Sequence, residues 1–252
     1  MPSWNVHTAH VERLFLDRSP QALGIRDANA FLFGNFVPDI YVGYMVREVT
    51  HTIDYRDTHF VDPSYVPEPR YWEFWERFGL PSADSEGHVS DLVLGVWCHL
   101  VADHGYNHEV NAFIKRNGVQ SGEKTRVRKQ GDFDLFGRTL DISLECQVTA
   151  ALIEQAATFP QYTIAEVDAR AAVAAADAIV RDNAAHHIDQ PPAYSLLPSS
   201  FFAETFDLVS VRLKSGLEAY AREGAGAPIL TDAHLAFAQT PPRLLTDVRL
   251  TT

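Results

Sequence analysis

The chain has 252 residues, 46% of them hydrophobic and 21% charged, and carries a formal charge of -12. That is enough apolar material for one sizeable core, and a single domain over residues 1–252 is the default. The acidic balance disfavours nucleic-acid backbones and anionic bilayer surfaces as partners. Two cysteines, Cys98 and Cys146, exclude a disulfide framework and a CxxC site.

The opening stretch, MPSWNVHTAHVERLF, lacks the basic start and apolar run of a secretory signal, and no segment reaches membrane-spanning length. A cytoplasmic protein without stable membrane insertion is expected. Residues 1–17 read as helical, with His7 and His10 three apart and able to share a face. Ser19-Pro20 opens the next helix. The apolar run DANAFLFGNFVPDI is helical up to Pro38, whose ring disfavours helix in the residue before it. Asp39 sits at that break, where an aspartate caps a helix more often than it binds a ligand. Residues 51–68, with His51 and His59, read as a long ordered loop. PRYWEFWERFG, residues 69–79, reads as a short aromatic helix, either core or pocket wall.

Residues 88–115, HVSDLVLGVWCHLVADHGYNHEVNAFIK, read as one long helix, because Val89, Leu92, Val93, Val96, Leu100 and Val101 recur at spacings of three and four. His99 and Asp103 interrupt the apolar pattern four residues apart, one turn above each other. Burying an imidazole and a carboxylate there is costly unless something pairs with them. A hydrogen-bonded pair in the core meets that need, and so does a shared divalent ion. The polar stretch NGVQSGEKTRVRKQGD then reads as a connection, whose Lys124, Arg126, Arg128 and Lys129 suit a solvated face or an anionic group.

Further helices are expected at about 133–158, 163–187 and 200–222. His186 and His187 lie at a helix C-terminus, where the dipole favours them. The tail from Gly224 is expected to be irregular, frayed or docked. No repeat, βαβ alternation, GxGxxG or P-loop is present. The fold class is therefore all-α, a single-domain bundle of seven or eight helices.

Eight of the eleven histidines fall within the first 108 residues, together with Asp39 and Asp103. Imidazoles and carboxylates converging from several elements suit zinc, and two ions about 3.5–4 Å apart are the arrangement for phosphoester displacement.

MPSWNVH, FLFGNFVPDI, THF at His59 and LGVWCHLVADHGYN, in that order, resemble the zinc-dependent phospholipase C family, especially its short bacterial members. KQGDFDLF near Asp132 adds to the likeness, which extends more distantly to the single-strand-specific zinc nucleases. It covers about residues 1–136, the metal-site part. The C-terminal part, about 137–252, reads only as helical.

The resemblance implies a bundle of that type in which Asp39, His59, His99 and Asp103 bind one zinc. Asp103 would bridge to a second metal that His7 also binds. His108, with His104 behind it, is the nearest match to a third family histidine. The family's later histidine–carboxylate pair has no match. The secreted relatives' ligand, a tryptophan amine exposed by signal cleavage, is expected to be absent because Met-Pro-Ser precedes Trp4. One to three Zn2+ ions are implied, with two as the expected number. The implied activity is a zinc-dependent phosphoesterase using a metal-activated water, with Asp39 as ligand or water-orienting base. A small soluble phosphorylated substrate is expected rather than a bilayer lipid or nucleic acid. The alternatives are an HD-type phosphohydrolase, weakened by the lack of any adjacent His-Asp pair, and a non-catalytic protein with a structural or degenerate metal site.

Overall fold

The structure, a computed structural model, describes residues 2–233. Its organising element is helix α6 (Asp91–Arg116), in which every residue from Asp91 to Asn107 is buried. A helix surrounded on all sides by protein needs no polar stripe, which explains why apolar residues occupy its whole circumference. Ser90 caps it by accepting the Val93 N–H, Asp91 occupies the first turn, and Lys115 and Arg116 complement the dipole at its end.

Five short or medium helices precede it: α1 (Trp4–Asp17), α2 (Ala28–Gly34), α3 (Val37–Ile40), α4 (Tyr55–His59) and α5 (Tyr71–Phe74). Four follow: α7 (Glu123–Gly137), α8 (Ala150–Ala157), α9 (Glu166–Ala185) and α10 (Ser199–Glu223). No strand occurs among the described residues, so the fold is all-α as expected. No described helix is long and apolar enough to cross a membrane.

One helix crossing positions the site. Gly34 of α2 and Gly95 of α6 face each other so closely that a Cβ on Gly34 would lie 2.2 Å from the Leu92 carbonyl oxygen. A Cβ on Gly95 would lie 2.2 Å from that of Phe31. Only glycine allows the two backbones to meet there. The contact brings the chain just after α2, with Asn35 and Asp39, against the middle of α6. On another side of α6, Gly216 of α10 leaves room for the Trp97 ring.

The structure differs from the sequence expectation in four places. The expected helix at 133–158 is two helices, α7 and α8, separated by non-helical chain at 140–149. Backbone N–H groups in that segment are held by distant side chains: Ser143 and Leu144 by Glu12, Cys146 by Asp177, and Gln147 by Asn29. Of the polar stretch expected to be a connection, residues 123–132 form nearly the first three turns of α7. The 51–68 loop contains the short helix α4, started by the Asp54 side chain accepting the Arg56 N–H and ended at Phe60 with φ 56°. The aromatic helix at 69–79 forms α5 and then opens into a π turn over Trp75–Gly79. Past α10 the tail docks: the Trp75 and Trp97 indoles donate to the carbonyls of Ala225 and Leu230. Residues 234–252 lie outside the described range.

Candidate metal centre

Four elements converge on one buried point. α1 brings His7, α3 brings Asp39, α4 ends in His59, and α6 contributes His99 and Asp103. His59, His99 and Asp103 are fully buried, His7 is 1% exposed and Asp39 5%. His59 Nε2 lies 3.2 Å from His99 Nε2, 3.5 Å from Asp39 Oδ1 and 3.7 Å from Asp103 Oδ2. His99 Nε2 lies 3.6 Å from Asp103 Oδ2, and His7 Nε2 is 3.3 Å from Asp103 Oδ1.

Most of these separations are long for hydrogen bonds. They match instead the edges of a coordination tetrahedron, since ligands about 2.0–2.1 Å from zinc sit about 3.4 Å apart. The ring tautomers support the same conclusion. His99 Nδ1 donates to the Asn35 carbonyl at 2.8 Å. The Thr58 hydroxyl donates to the Tyr55 carbonyl and therefore accepts from His59 Nδ1 at 2.8 Å. Both Nε2 atoms then present lone pairs to each other and to two carboxylates. Four lone-pair donors meeting in a dry interior repel one another unless a cation lies between them.

Orphaned polar atoms mark the same point. Neither Asp103 oxygen and neither His7 ring nitrogen has a hydrogen-bond partner among the described residues. An unpaired buried carboxylate costs several kcal/mol, of the order given for desolvating one ion. Burial raises the pKa of Asp39 and Asp103, and it drives His59 well below the usual imidazole range, with further lowering by His99 and His7. His99 is lowered by burial and His7, and burial brings His7 down to about 3. The imidazoles are thus neutral, the state in which they bind metal.

Asp103 divides its two oxygens, Oδ1 toward His7 and Oδ2 toward His59 and His99. His99 serves a single ion because its Nδ1 is committed to Asn35. By distance, Asp39 Oδ1, His99 Nε2 and Asp103 Oδ2 gather around His59 Nε2, while His7 Nε2 faces Asp103 Oδ1. The two triads whose ligand atoms all lie within 4.8 Å of one another here are His7–His99–Asp103 and Asp39–His59–His99, which share His99. The His7 ring stacks on His99 with centroids 4.1 Å apart.

Two neighbours were not identified from sequence as part of the site. The Trp4 indole, fully buried and stacked on Phe36, donates to Asp39 Oδ2 at 3.0 Å. It orients the carboxylate so that Oδ1 faces His59. Tyr55 stacks on His59 at 3.9 Å, and its buried hydroxyl has no hydrogen-bond partner among the described residues. Burial, then Asp103 and Asp39, push its pKa well above that of an ordinary phenol. An aromatic four residues before His59 was the available signal.

A cavity of about 690 Å³ opens beside the cluster, lined by Asp39, Tyr55, Tyr65, Arg126 and Lys129 among others. Lys129 is 2% exposed and donates to Asn107 Oδ1 at 3.1 Å. Arg126 is held by Glu123, while Lys124 and Arg128 face solvent.

Four residues singled out in the sequence lie elsewhere. His108 and His104 group with Glu68 rather than with this cluster. At about 100° per residue, His104 and His108 leave α6 about 100° and 140° around from Asp103. His10, which was paired with His7 by spacing, is a satisfied core residue: its nitrogens meet Ser210 Oγ and the Tyr106 hydroxyl, both at 3.0 Å. Asp132 accepts three backbone N–H groups from Ser195, Leu196 and Leu197 and so anchors a turn.

No protein-family model, curated protein or solved structure matches this chain.

Proposed function

We propose that the chain is a metal-dependent phosphoester hydrolase, similar in its site to the zinc-dependent phospholipase C family, with two zinc ions as its cofactor. The observation that carries this reading is the division of Asp103 between two sets of donors beside a cavity. In this reading Asp39, His59, His99 and Asp103 would hold one ion and only His7 and Asp103 the other, so the second ion would keep positions for water and substrate. Bound there, zinc would supply Lewis acidity and a water of lowered pKa.

The protein's own groups account for the rest. Trp4 holds Oδ2 of Asp39 and directs Oδ1 at the four-donor set, which favours Asp39 as a ligand over a free general base. The Tyr55 hydroxyl, kept protonated, is a hydrogen-bond donor for a phosphoryl oxygen. Lys129 and Arg126 bring positive charge to the cavity, which suits an anionic ester of small-molecule size. A soluble phosphoester fits this space better than a bilayer lipid, given the net charge of -12.

The test is metal content by elemental analysis, followed by a screen of phosphate mono- and diesters. About two equivalents of zinc bound by the buried cluster in the wild type, reduced in His99→Ala, with ester hydrolysis lost in Asp103→Asn, is the expected result. Hydrolysis unchanged in Asp103→Asn would sink the reading. A second reading, a structural zinc without catalysis, is favoured by one observation: His59, His99 and Asp103 are fully buried and Asp39 nearly so, a depth that suits a site closed to solvent. It predicts one equivalent, and a chelator that unfolds the protein with no hydrolysis to lose.

A further inference from the structure

We infer that Glu68, His104 and His108 form a separate metal site, distinct from the buried cluster, that fastens the loop before α5 to α6. One ligand atom from each of the three residues lies within 4.8 Å of the others. His104 and His108 are one turn apart on α6, with their rings within 10° of parallel and their centroids 6.0 Å apart. Two histidines at i and i+4 on one face of a helix hold a single ion between them. Glu68 faces them from the loop, its Oε2 3.3 Å from His108 Nδ1, again close to a tetrahedral edge.

The surroundings orient these donors. His104 Nδ1 donates to the Pro69 carbonyl at 2.8 Å, which sets the tautomer with the lone pair on Nε2. The Asn111 amide donates to Glu68 Oε1 at 2.6 Å and turns Oε2 toward His108. A backbone carbonyl behind a histidine and an amide behind a carboxylate are the supports that metal ligands commonly have. His104 is held edge-on by Tyr71 and Trp72, whereas His108 stays partly exposed, so an ion has a route in. Two imidazoles and one carboxylate suit zinc or a similar borderline ion, with a fourth position left for water.

The site lies where the loop is already zipped to the helix. Asn107 and Asn111 donate to the carbonyls of Pro67 and Val66, next to Glu68. Ser64, Tyr65 and Pro67 of the same loop wall the cavity. An ion at Glu68 therefore stiffens a wall of the pocket without touching the buried donors.

The test titrates metal-stripped protein with Zn2+, following heat and stoichiometry, and with Co2+, following its visible absorption. Wild type should bind one equivalent more than His108→Ala or Glu68→Gln, and Asn111→Ala should weaken that equivalent by about 10–100-fold. His99→Ala should retain it, which separates this site from the buried one. Zinc should also slow proteolysis within residues 60–69 in wild type and in His99→Ala, but not in His108→Ala. Equal stoichiometry in wild type, His108→Ala and the near-isosteric Glu68→Gln would overturn the proposal. Loss of the extra equivalent in His99→Ala would overturn it too.

Discussion

Helix α1 carries two buried histidines three residues apart, in opposite surroundings. His10 has a partner on each ring nitrogen and lies against Phe206, its ring centroid 4.3 Å away. Among the described residues, neither His7 nitrogen has a hydrogen-bond partner, and the ring points at a carboxylate that has none there either. Both are 1% exposed. Burial therefore says nothing about which of them serves chemistry, whereas completeness of hydrogen bonding does. A satisfied histidine is part of the core. An unsatisfied one, facing other unsatisfied donors, marks a place where a ligand completes the structure.

The contrast breaks most severely if α2 is pushed off α6. Gly95→Ala puts a methyl 2.2 Å from the Phe31 carbonyl oxygen, a backbone atom that cannot swing away. We expect a loss of about 3 kcal/mol or more in urea unfolding, at the upper end of overpacking effects. Zinc content should fall as well, because the Asn35 carbonyl that orients His99 moves with α2. His10 should stay ordered as long as the protein folds, since its partners lie on α6 and α10.

Asp103→Asn removes the shared carboxylate and tests the His7 side alone. Zinc binding at both donor sets should weaken, and hydrolysis should fall by at least about 100-fold, beyond what loss of a supporting contact costs. With the metal stripped by a chelator the sign reverses. The variant no longer buries an unpaired charge, so it should unfold later than stripped wild type, by about 1 kcal/mol. A site that trades stability for ligand binding behaves this way, and a hydrogen-bonded core pair does not.

These comparisons also show how much could be read from the sequence. The long helix was visible because apolar spacing extends through 89–101, and His99 and Asp103 stood out against it. Residues that meet across the fold, His7, Asp39 and His59, followed from resemblance to a family and not from spacing, since periodicity reports on one element at a time. Trp4 could not be assigned to Asp39 without the fold, because 35 residues separate them. The non-helical chain at 140–149 was hidden for a similar reason. Its backbone is held by Glu12, Asn29 and Asp177, none of them local. The turns of α7 were missed because their sequence is nearly all polar and buries only Thr125 and Lys129 before Gln130.

A milder change sharpens the comparison further. Trp4→Phe keeps the ring packed on Phe36 but removes the N–H that holds Asp39. Zinc affinity should drop by about 10–100-fold, as for other supporting partners of metal ligands. His10→Gln should instead cost about 1–3 kcal/mol of stability, by the same amount with and without zinc. Isothermal titration and paired urea curves would separate the two outcomes. If Trp4→Phe left zinc affinity unchanged, its hydrogen bond to Asp39 would be a packing detail.

The smallest expected difference between the two histidines lies in their response to acid. Burial comes first among the causes for both, lowering His7 to about 3 and His10 well below its ordinary 6.5. In metal-free protein, the unfolded chain takes up protons below about pH 6.5 while these folded rings do not. The unfolded state then binds more protons, so stability must fall as pH decreases, by up to about 1.4 kcal/mol per pH unit for each such ring. Asp39 and Asp103 act in the opposite direction. Their folded pKa values are raised above 3.8, so the native state gains protons first and recovers some stability at lower pH. Removing either histidine should flatten the slope between about pH 6.5 and about pH 5 by the same single-proton increment, measured by urea unfolding after chelation. Adding zinc should restore the difference, because protons then compete with an ion at His7 and with nothing at His10.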